Sequence, residues 1–548
     1  MSTEPNPSPL TAVDEARADE LLGLLRADLV AADFTVAALE ELWGEDAAAA
    51  LHRGERVPAR RVLDARRREH GASAGLATLA ELFVLGVPVP HGELADALVG
   101  LGVEGAIELG LVGDAGDGGG SGRGATVRAR LDLRPYAFTD AYGAGEWWIL
   151  SDLGELALGH ALGEHHVLGV GGASMTLSGL MLPTPAKRVL DLGTGCGIQA
   201  MHASRFAERI VATDISERAL EIARLNLVLN GIGGVEFRLG SLFEPVAGER
   251  FDRIVSNPPF VITPRIEGVP EYDYRDGGMV GDALVEAVIR GAHDHLEPGG
   301  VAQLLGNWEY RGVGASAGGP AGASASDGLE RVGDWAAMLE HWVIEREVQH
   351  VTEYAETWIR DGGTRPGSAE FDRLYDAWLD DFAARGVERV GFGYVLLRRA
   401  DAAASTRSEG GLARLERLHG PLGSNESGLG AHLAECLAGH DRQAALDDAM
   451  LAATRFTAAG DVTEERHYWP GDDDPTAMLL RQGGGFGRAI SLDTGLAALV
   501  GASDGELPVG AIVAALAQLL EVDETALAGE LLPAVRTLVD DGMLRFAD

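Results

Sequence analysis

The middle of this 548-residue chain predicts an α/β fold. The expected core is a doubly wound, mostly parallel, seven-stranded sheet over about 151–400. Mainly helical, winged-helix-like segments are expected to flank it at 1–150 and 401–548. Three observations lead there. Seven short apolar runs alternate with helical stretches, as in a parallel sheet covered on both faces. The first run passes straight into a glycine-rich loop, and the second ends in an acid. On either side the alternation stops and helical periodicity takes over.

Composition excludes several classes. The length suits about three domains. No apolar run reaches the roughly 18–20 residues of a membrane span. The beginning, MSTEPNPSPLTAVDEARADE, is acidic and polar, unlike a secretory signal, so a cytoplasmic protein is expected, with no membrane partner. Two cysteines, Cys196 and Cys436, make neither a disulfide framework nor a Cys-rich zinc site. With 45 basic and 84 acidic residues the formal charge is −39. That disfavours non-specific binding to nucleic acid, which needs clustered cations. Of the basic residues only Lys187 is lysine. With the heavy Ala and Gly usage, this skew points to a GC-rich bacterial genome.

The elements follow in order. Residues 1–12 read as a tail. ADELLGLLRADLVAA and AALEELWGEDAAAALHR space their apolar residues as helices. GDAGDGGGSGRG (113–124) reads as a loop, and TVRARLDLRPYAF as a strand. The seven core runs are KRVLDLG, RIVATDI, VEFRLG, FDRIVSN, GVAQLLGN, HWVIEREVQ and RVGFGYVLLRR. GVGASAGGPAGASASDG (312–328) interrupts them as a surface insertion. Beyond 401, EGGLARLERLHG is expected to open a helical region. DVTEERHYW and GRAISLD read as strands, and two amphipathic helices and a short strand MLRF close the chain.

VLDLGTGCGIQA (189–200) carries the first chemistry. Gly193, Gly195 and Gly197 let the chain turn tightly and let a ligand approach with no Cβ in the way. Asp214 ends the next strand 21 residues after Gly193, where an acid can accept both ribose hydroxyls of a nucleoside-bearing cofactor. This pair resembles the cofactor half of class I S-adenosylmethionine-dependent methyltransferases, with their Rossmann-like sheet. The variant is similar to the methyltransferase small domain group, which includes release-factor glutamine and ribosomal RNA guanine methyltransferases. The resemblance implies S-adenosyl-L-methionine as cofactor. The implied binding set is Asp191, Gly193, Thr194, Gly195, Gly197, Asp214, Ile215, Ser241, Leu242 and Asn257. The family often has an acid where this chain has Ser241.

FDRIVSNPPF ends the fourth strand with Asn257, Pro258, Pro259 and Phe260, the expected catalytic group. A planar amino or amide nitrogen is a poor nucleophile because its lone pair is delocalised. The Asn257 side-chain oxygen and the Pro258 carbonyl can each accept one of its N–H bonds and free that lone pair. The prolines stiffen the backbone, and Phe260 can stack on a flat substrate. The effect is alignment and preorganised electrostatics, with no separate base required. The tetrapeptide resembles that of enzymes methylating adenine, guanine or glutamine amides. Those acting on glutamine usually carry Tyr at the position of Phe260, and several RNA enzymes carry Phe. The expected function is therefore N-methylation of an RNA base or a protein glutamine. The competing class is a non-catalytic, cofactor-sensing nucleic-acid-binding or regulatory protein, and the intact tetrapeptide argues against it.

Weaker signals surround these motifs. The segment 166–182, with Ser174 and Thr176, suits a lid over the cofactor. Tyr272, Tyr274 and Arg275 are placed to line a substrate mouth. RGERVPARRVLDARRRE (53–69) holds seven arginines against three acids and can contact phosphates, though a solvated helix face is the better explanation. His293 and His295 alternate on a helix and do not share a face, so no metal is expected there or at His165 and His166. Cys196 has no pairing His and is not expected to be a catalytic thiol.

Overall fold

The computed structural model describes residues 13–70, 75–114, 125–158, 163, 165–266, 269, 275, 277–312, 327–401 and 411–547. The expected tail at 1–12, most of the loop at 113–124, most of the insertion at 312–328, and Tyr272 and Tyr274 lie outside them. The chain divides into two compact units. One comprises Met1–Phe138, Ala144–Ser178 and Ala186–Arg399; the other comprises Thr139–Gly143, Gly179–Pro185 and Ala400–Asp548.

The first unit opens with helices Glu15–Ala31, Val36–His52 and Val57–His70. Each of the first two starts on a side-chain cap, Asp14 or Thr35, that accepts from a backbone N–H of the first turn. Gly44, at φ 75°, breaks the second helix in its middle. Short helices His91–Ala97 and Gly102–Glu108 follow, with strands Val89–Pro90, Val112–Asp114 and Thr126–Ala129 in a small antiparallel sheet. A hairpin, Leu131–Asp140 with Gly143–Asp152, comes next. Its second strand, GAGEWWILSD, did not stand out as a strand in the sequence.

The core elements then run in chain order. They are α1 (Gly172–Leu180), β1 (Ala186–Leu192), α2 (Ile198–Ala203), β2 (Ala207–Asp214), α3 (Glu217–Leu229), β3 (Val235–Leu239) and β4 (Phe251–Ser256). After them come α4 (Ala283–His295), β5 (Leu296–Arg311), α5 (Gly328–Ala336), β6 (Glu340–His350), α6 (Val351–Asp361), α7 (Ala369–Arg385) and β7 (Val387–Arg398). All seven expected strands form, in the order β3-β2-β1-β4-β5-β7-β6. In the centre Leu190 pairs with Val211 on one side and Ile254 on the other, both in parallel register. Such strands are buried on both faces, which is why they read as continuous apolar runs. β7 alone is antiparallel, to β5 and to β6. Two helices, α6 and α7, separate β6 from β7, so the chain re-enters the sheet from the opposite end. Trp308, Trp342, Trp378, Phe251 and Phe382 are among the largest fully buried side chains. Each such side chain stabilises the fold by roughly 1.5–3 kcal/mol.

The amino-terminal helices share a core with α3. Leu225 and Leu229 belong to the same apolar cluster as Leu21, Leu22 and Leu25. Trp148 Nε1 donates to the Phe34 carbonyl at 2.7 Å, and Asp19 accepts from Arg224 at 2.9 Å.

The second unit holds helices Gly430–Ala444, Thr494–Gly501, Val509–Leu520 and Glu524–Asp540. Strand Arg455–Ala458 lies between Asp504–Pro508 and Leu544–Phe546, and Val462–His467, Ala477–Gln482 and Ala489–Leu492 form a second antiparallel sheet. The expected helical start at EGGLARLERLHG is corrected: Ala413–Arg417 is a strand. Its leucines have helical spacing, but its inward-facing residues are charged. Arg414 reaches Asp541 at 2.5 Å and Glu416 at 2.6 Å, and Glu416 also takes Arg488 at 2.7 Å. An apolar pattern cannot reveal a strand whose inner face is an ion network.

Candidate active site

The strand order reverses between β1 and β4, where ligands of such sheets bind beyond the carboxyl ends of the strands. Both sequence motifs sit at that point. Gly193, Gly195 and Gly197 have φ of 75°, 54° and 87°, the left-handed region that L side chains avoid. The loop is pinned to β2: the N–H groups of Gly193 and Thr194 both donate to the Thr213 carbonyl at 2.9 Å. The glycines differ in purpose. A Cβ on Gly193 or Gly195 would meet no protein atom within 4 Å, whereas one on Gly197 would press on Ala223 Cβ at 3.0 Å and Leu227 at 3.1 Å. The first two therefore leave open space beside the backbone, and the third permits close packing of α2 on α3.

Two acids frame this loop. Asp191 is fully buried. Its Oδ2 accepts from Thr194 Oγ1 at 2.6 Å and Ala200 N–H at 2.9 Å, while its Oδ1 has no partner among the described residues. Burial pushes its carboxyl up to about 7, against the pull of those two hydrogen bonds. Asp214 is only partly buried at the tip of β2. It accepts from Gly195 N–H and Ser216 N–H, each at 2.9 Å. Ile215 follows with two-thirds of its surface exposed (66%). Ser241 and Leu242 lie just past β3, and Leu242 has φ 47°, the only non-glycine residue near the site in that region among the described residues.

The tetrapeptide leaves β4 beside this loop. Ser256 Oγ donates to the Leu192 carbonyl at 2.8 Å, tying the ends of β4 and β1 together. Asn257 Oδ1 is buried and has no hydrogen-bond partner among the described residues. A buried acceptor without a donor costs roughly 1–3 kcal/mol. Pro258 is buried. Pro259 abuts Gly277, where a Cβ would come within 2.8 Å of the proline ring. The Phe260 ring lies 5.5 Å from that of Phe392 on β7.

Some residues escaped sequence reasoning. Gln199, almost fully buried, donates to the Ser174 carbonyl at 2.8 Å and meets Ser178 Oγ at 3.1 Å, joining α1 to α2. Asn226 donates to the Cys196 carbonyl at 2.8 Å and the Leu150 carbonyl at 2.9 Å, joining the glycine loop to the hairpin. Only a buried amide within an apolar helix pattern hinted at Asn226.

Several weaker expectations find other uses. The Arg275 side chain is buried and donates to the Trp358 carbonyl at 3.1 Å, which corrects its placement at a substrate mouth. In the 53–69 segment, Arg56 and Arg66 are spent on the carbonyls of Leu85 and Glu41, and Arg67 on Glu81 and Glu93. His295 stacks on Phe243 at 4.4 Å. Burial pushes the Cys196 thiol up to about 11, which makes it unreactive. Among the described residues no group of three His, Cys, Asp or Glu side chains is placed to hold a metal, and no helix is long and apolar enough to cross a membrane.

Residues 171–311 match the methyltransferase small domain family, the segment from α1 to the end of β5. That segment thus resembles a methyltransferase small domain. Residues 31–126 and 437–546, outside the small domain, match two domains of unknown function, DUF7059 and DUF7782. A release factor glutamine methyltransferase from Xylella fastidiosa is 40% identical over 134 residues, 22% of this chain and 48% of the relative. Ribosomal RNA small subunit methyltransferase C from Erwinia tasmaniensis is 29% identical over 180 residues, 32% of this chain and 46% of the relative. The match thus spans under half the length of these curated relatives. A methyltransferase of known structure from Pyrococcus furiosus aligns over 41% of this chain and 80% of its own, at 17% identity and a TM-score of 0.24.

Proposed function

We propose that this protein is an S-adenosylmethionine-dependent N-methyltransferase whose acceptor is a planar amino or amide nitrogen of an RNA base or a protein glutamine. The observation that carries this reading is the buried, unpartnered Asn257 Oδ1 at the end of β4. It stands at the same switch point as a glycine loop with open space beside it. The relatives span both acceptor chemistries, since their names specify a release-factor glutamine and ribosomal RNA.

The residues fit the cofactor. Gly193 and Gly195 leave room beside their backbone, Asp214 offers acceptors for ribose hydroxyls, and Asp191 has an unused oxygen. Ile215, Ser241 and Leu242 lie where the adenosine end would follow the tips of β2 and β3. When bound, S-adenosylmethionine supplies a methyl group on a cationic sulfur. Asn257 Oδ1 and the Pro258 carbonyl accept the N–H bonds of the acceptor nitrogen and turn its lone pair toward that methyl. Phe260 packs against the flat face of the acceptor. The nitrogen would gain the methyl as the methyl–sulfur bond breaks and the sulfur leaves as a neutral thioether, and would then lose a proton to water, so no side chain has to act as base.

Incubating the full-length chain with bacterial extract and methyl-labelled S-adenosylmethionine tests this. Label released by ribonuclease identifies an RNA acceptor, and label released by protease a protein acceptor. A chain that binds the cofactor yet labels neither fraction would be a sensor, and the enzymatic reading would fall.

A pH effect follows from Asp191. Its folded value near 7 lies above the roughly 3.9 of a free Asp. The folded chain without cofactor therefore holds a proton that the unfolded chain has released between about pH 4 and 7. Stability falls as pH rises through that window and levels off above it. A cationic cofactor favours the ionised carboxylate, so its affinity should rise between pH 6 and 8 with release of a proton. Calorimetry in buffers of different ionisation enthalpy measures that proton. Asp191→Asn should flatten the profile; an equally steep profile in this variant removes Asp191 as the cause.

A further inference from the structure

Among the described residues Asn257 Oδ1 has no partner, so none of them sets the side chain's position through that oxygen. It inherits its place from the backbone. Upstream that backbone is held at Ser256, through the bond to Leu192. Downstream two amides follow the tetrapeptide. Val261 N–H donates to the Arg275 carbonyl at 2.9 Å, and Ile262 N–H donates to the Tyr354 hydroxyl at 2.9 Å. Asn307 Nδ2 on β5 donates to the same hydroxyl at 2.6 Å.

These groups are closed to water: Ile262, Asn307 and Tyr354 are 1%, 2% and 3% exposed. The Val261 amide leads to the same helix, because the Arg275 guanidinium is bonded to the Trp358 carbonyl, one turn beyond Tyr354 on α6. The Tyr354 ring is wedged among Trp358, Trp378 and Phe382, with centroids 6.0, 6.3 and 6.2 Å away. Burial pushes the phenol's pKa up, so it stays neutral while its oxygen receives two N–H donors. Tyr354 lies beyond residue 311, where the small-domain match ends.

We propose that Tyr354 is a positioning residue: its hydroxyl, oriented by Asn307, fixes the backbone leaving the Asn257–Phe260 turn and so holds the Asn257 and Pro258 acceptors in register with the incoming nitrogen. The catalytic consequence rests on the function proposed above; the anchoring itself does not. Misplacing an acceptor by about 1 Å can cost on the order of 10²-fold in rate.

The test uses Tyr354→Phe in the full-length chain. Hydrogen exchange followed by mass spectrometry needs no acceptor. Exchange at Ile262 should quicken at least about tenfold, while the glycine-loop peptide and S-adenosylmethionine affinity stay unchanged. A residue that merely supports the fold would loosen both regions together. In the labelled extract, the initial rate at saturating S-adenosylmethionine should fall at least about tenfold with the KM for this cofactor unchanged. Unaltered exchange at Ile262 overturns the anchor, and an unaltered rate where the wild type transfers label overturns its catalytic role. A wild type that labels nothing removes the proposed function, and the exchange result still decides the anchor. Should Tyr354→Phe fold poorly, Asn307→Ala leaves the phenol in place but unoriented and should give the same local loss of protection; normal protection there also overturns it.

Discussion

Asn257→Ala is expected to cut methyl transfer by about 10²–10³-fold, the usual penalty for removing one preorganised hydrogen-bonding group from a reacting centre. Cofactor affinity should stay within about twofold. The asymmetry follows from the position of Asn257 Oδ1. It is buried at the end of β4, bonded to none of the described residues, and separate from the acids on β1 and β2 that meet the glycine loop. Removing it costs the fold no internal hydrogen bond, so melting temperature should hardly move. Asn257→Asp makes a sharper probe. It keeps an acceptor oxygen but adds a negative charge in a buried place, which favours protonation. Transfer by that variant should recover as pH falls. The measurements are label transfer in extract and calorimetric titration of cofactor. Full activity in Asn257→Ala would sink the mechanism, and lost cofactor affinity would mean that Asn257 acts on the cofactor.

Asp214→Ala should act on the other step, weakening S-adenosylmethionine by roughly 10–150-fold, the equivalent of about 1.5–3 kcal/mol for hydrogen bonds to a charged group. Two contributions add. The direct one is loss of the acceptors offered to the ribose. The indirect one is loss of the bonds from Gly195 N–H and Ser216 N–H, both 2.9 Å, which hold the loop's curve. Asp214→Asn separates them, since it keeps one carbonyl oxygen and loses the charge. It should fall between wild type and Ala. Rate at saturating cofactor should recover largely in both variants. Unchanged affinity in Asp214→Ala would remove the ribose assignment, and a rate that cofactor cannot restore would place the acid in the chemical step.

The parts of the site that were legible in the sequence are local ones. The glycines had to be where the chain turns through positive φ. Asp214 had to end a strand, and the tetrapeptide had to leave one. Each depends on a few neighbouring residues, so short motifs carry it. Tyr354, Asn307 and Asn226 were not legible, because each bonds to backbone far away in sequence: Tyr354 to Ile262, Asn226 to Cys196 and Leu150. Arg275 shows the opposite error. Its charge and its place after the tetrapeptide suggested a substrate contact, yet its side chain is buried against α6. The ARLER strand was missed for a related reason, since its buried face is made of charges that pair only after folding.

What the sequence alone determined was the seven-stranded plan, the place of the glycine loop and tetrapeptide on it, and the class of chemistry they suit. Strand periodicity and turn stereochemistry act over a few residues and leave their mark in composition. Only the tertiary structure decided that β7 runs antiparallel, that the amino-terminal helices share a core with α3, and that the backbone after Phe260 is tied to α6. Those outcomes depend on which buried donors and acceptors meet across long stretches of chain. No local pattern encodes such meetings, because each partner alone looks like an ordinary buried polar residue.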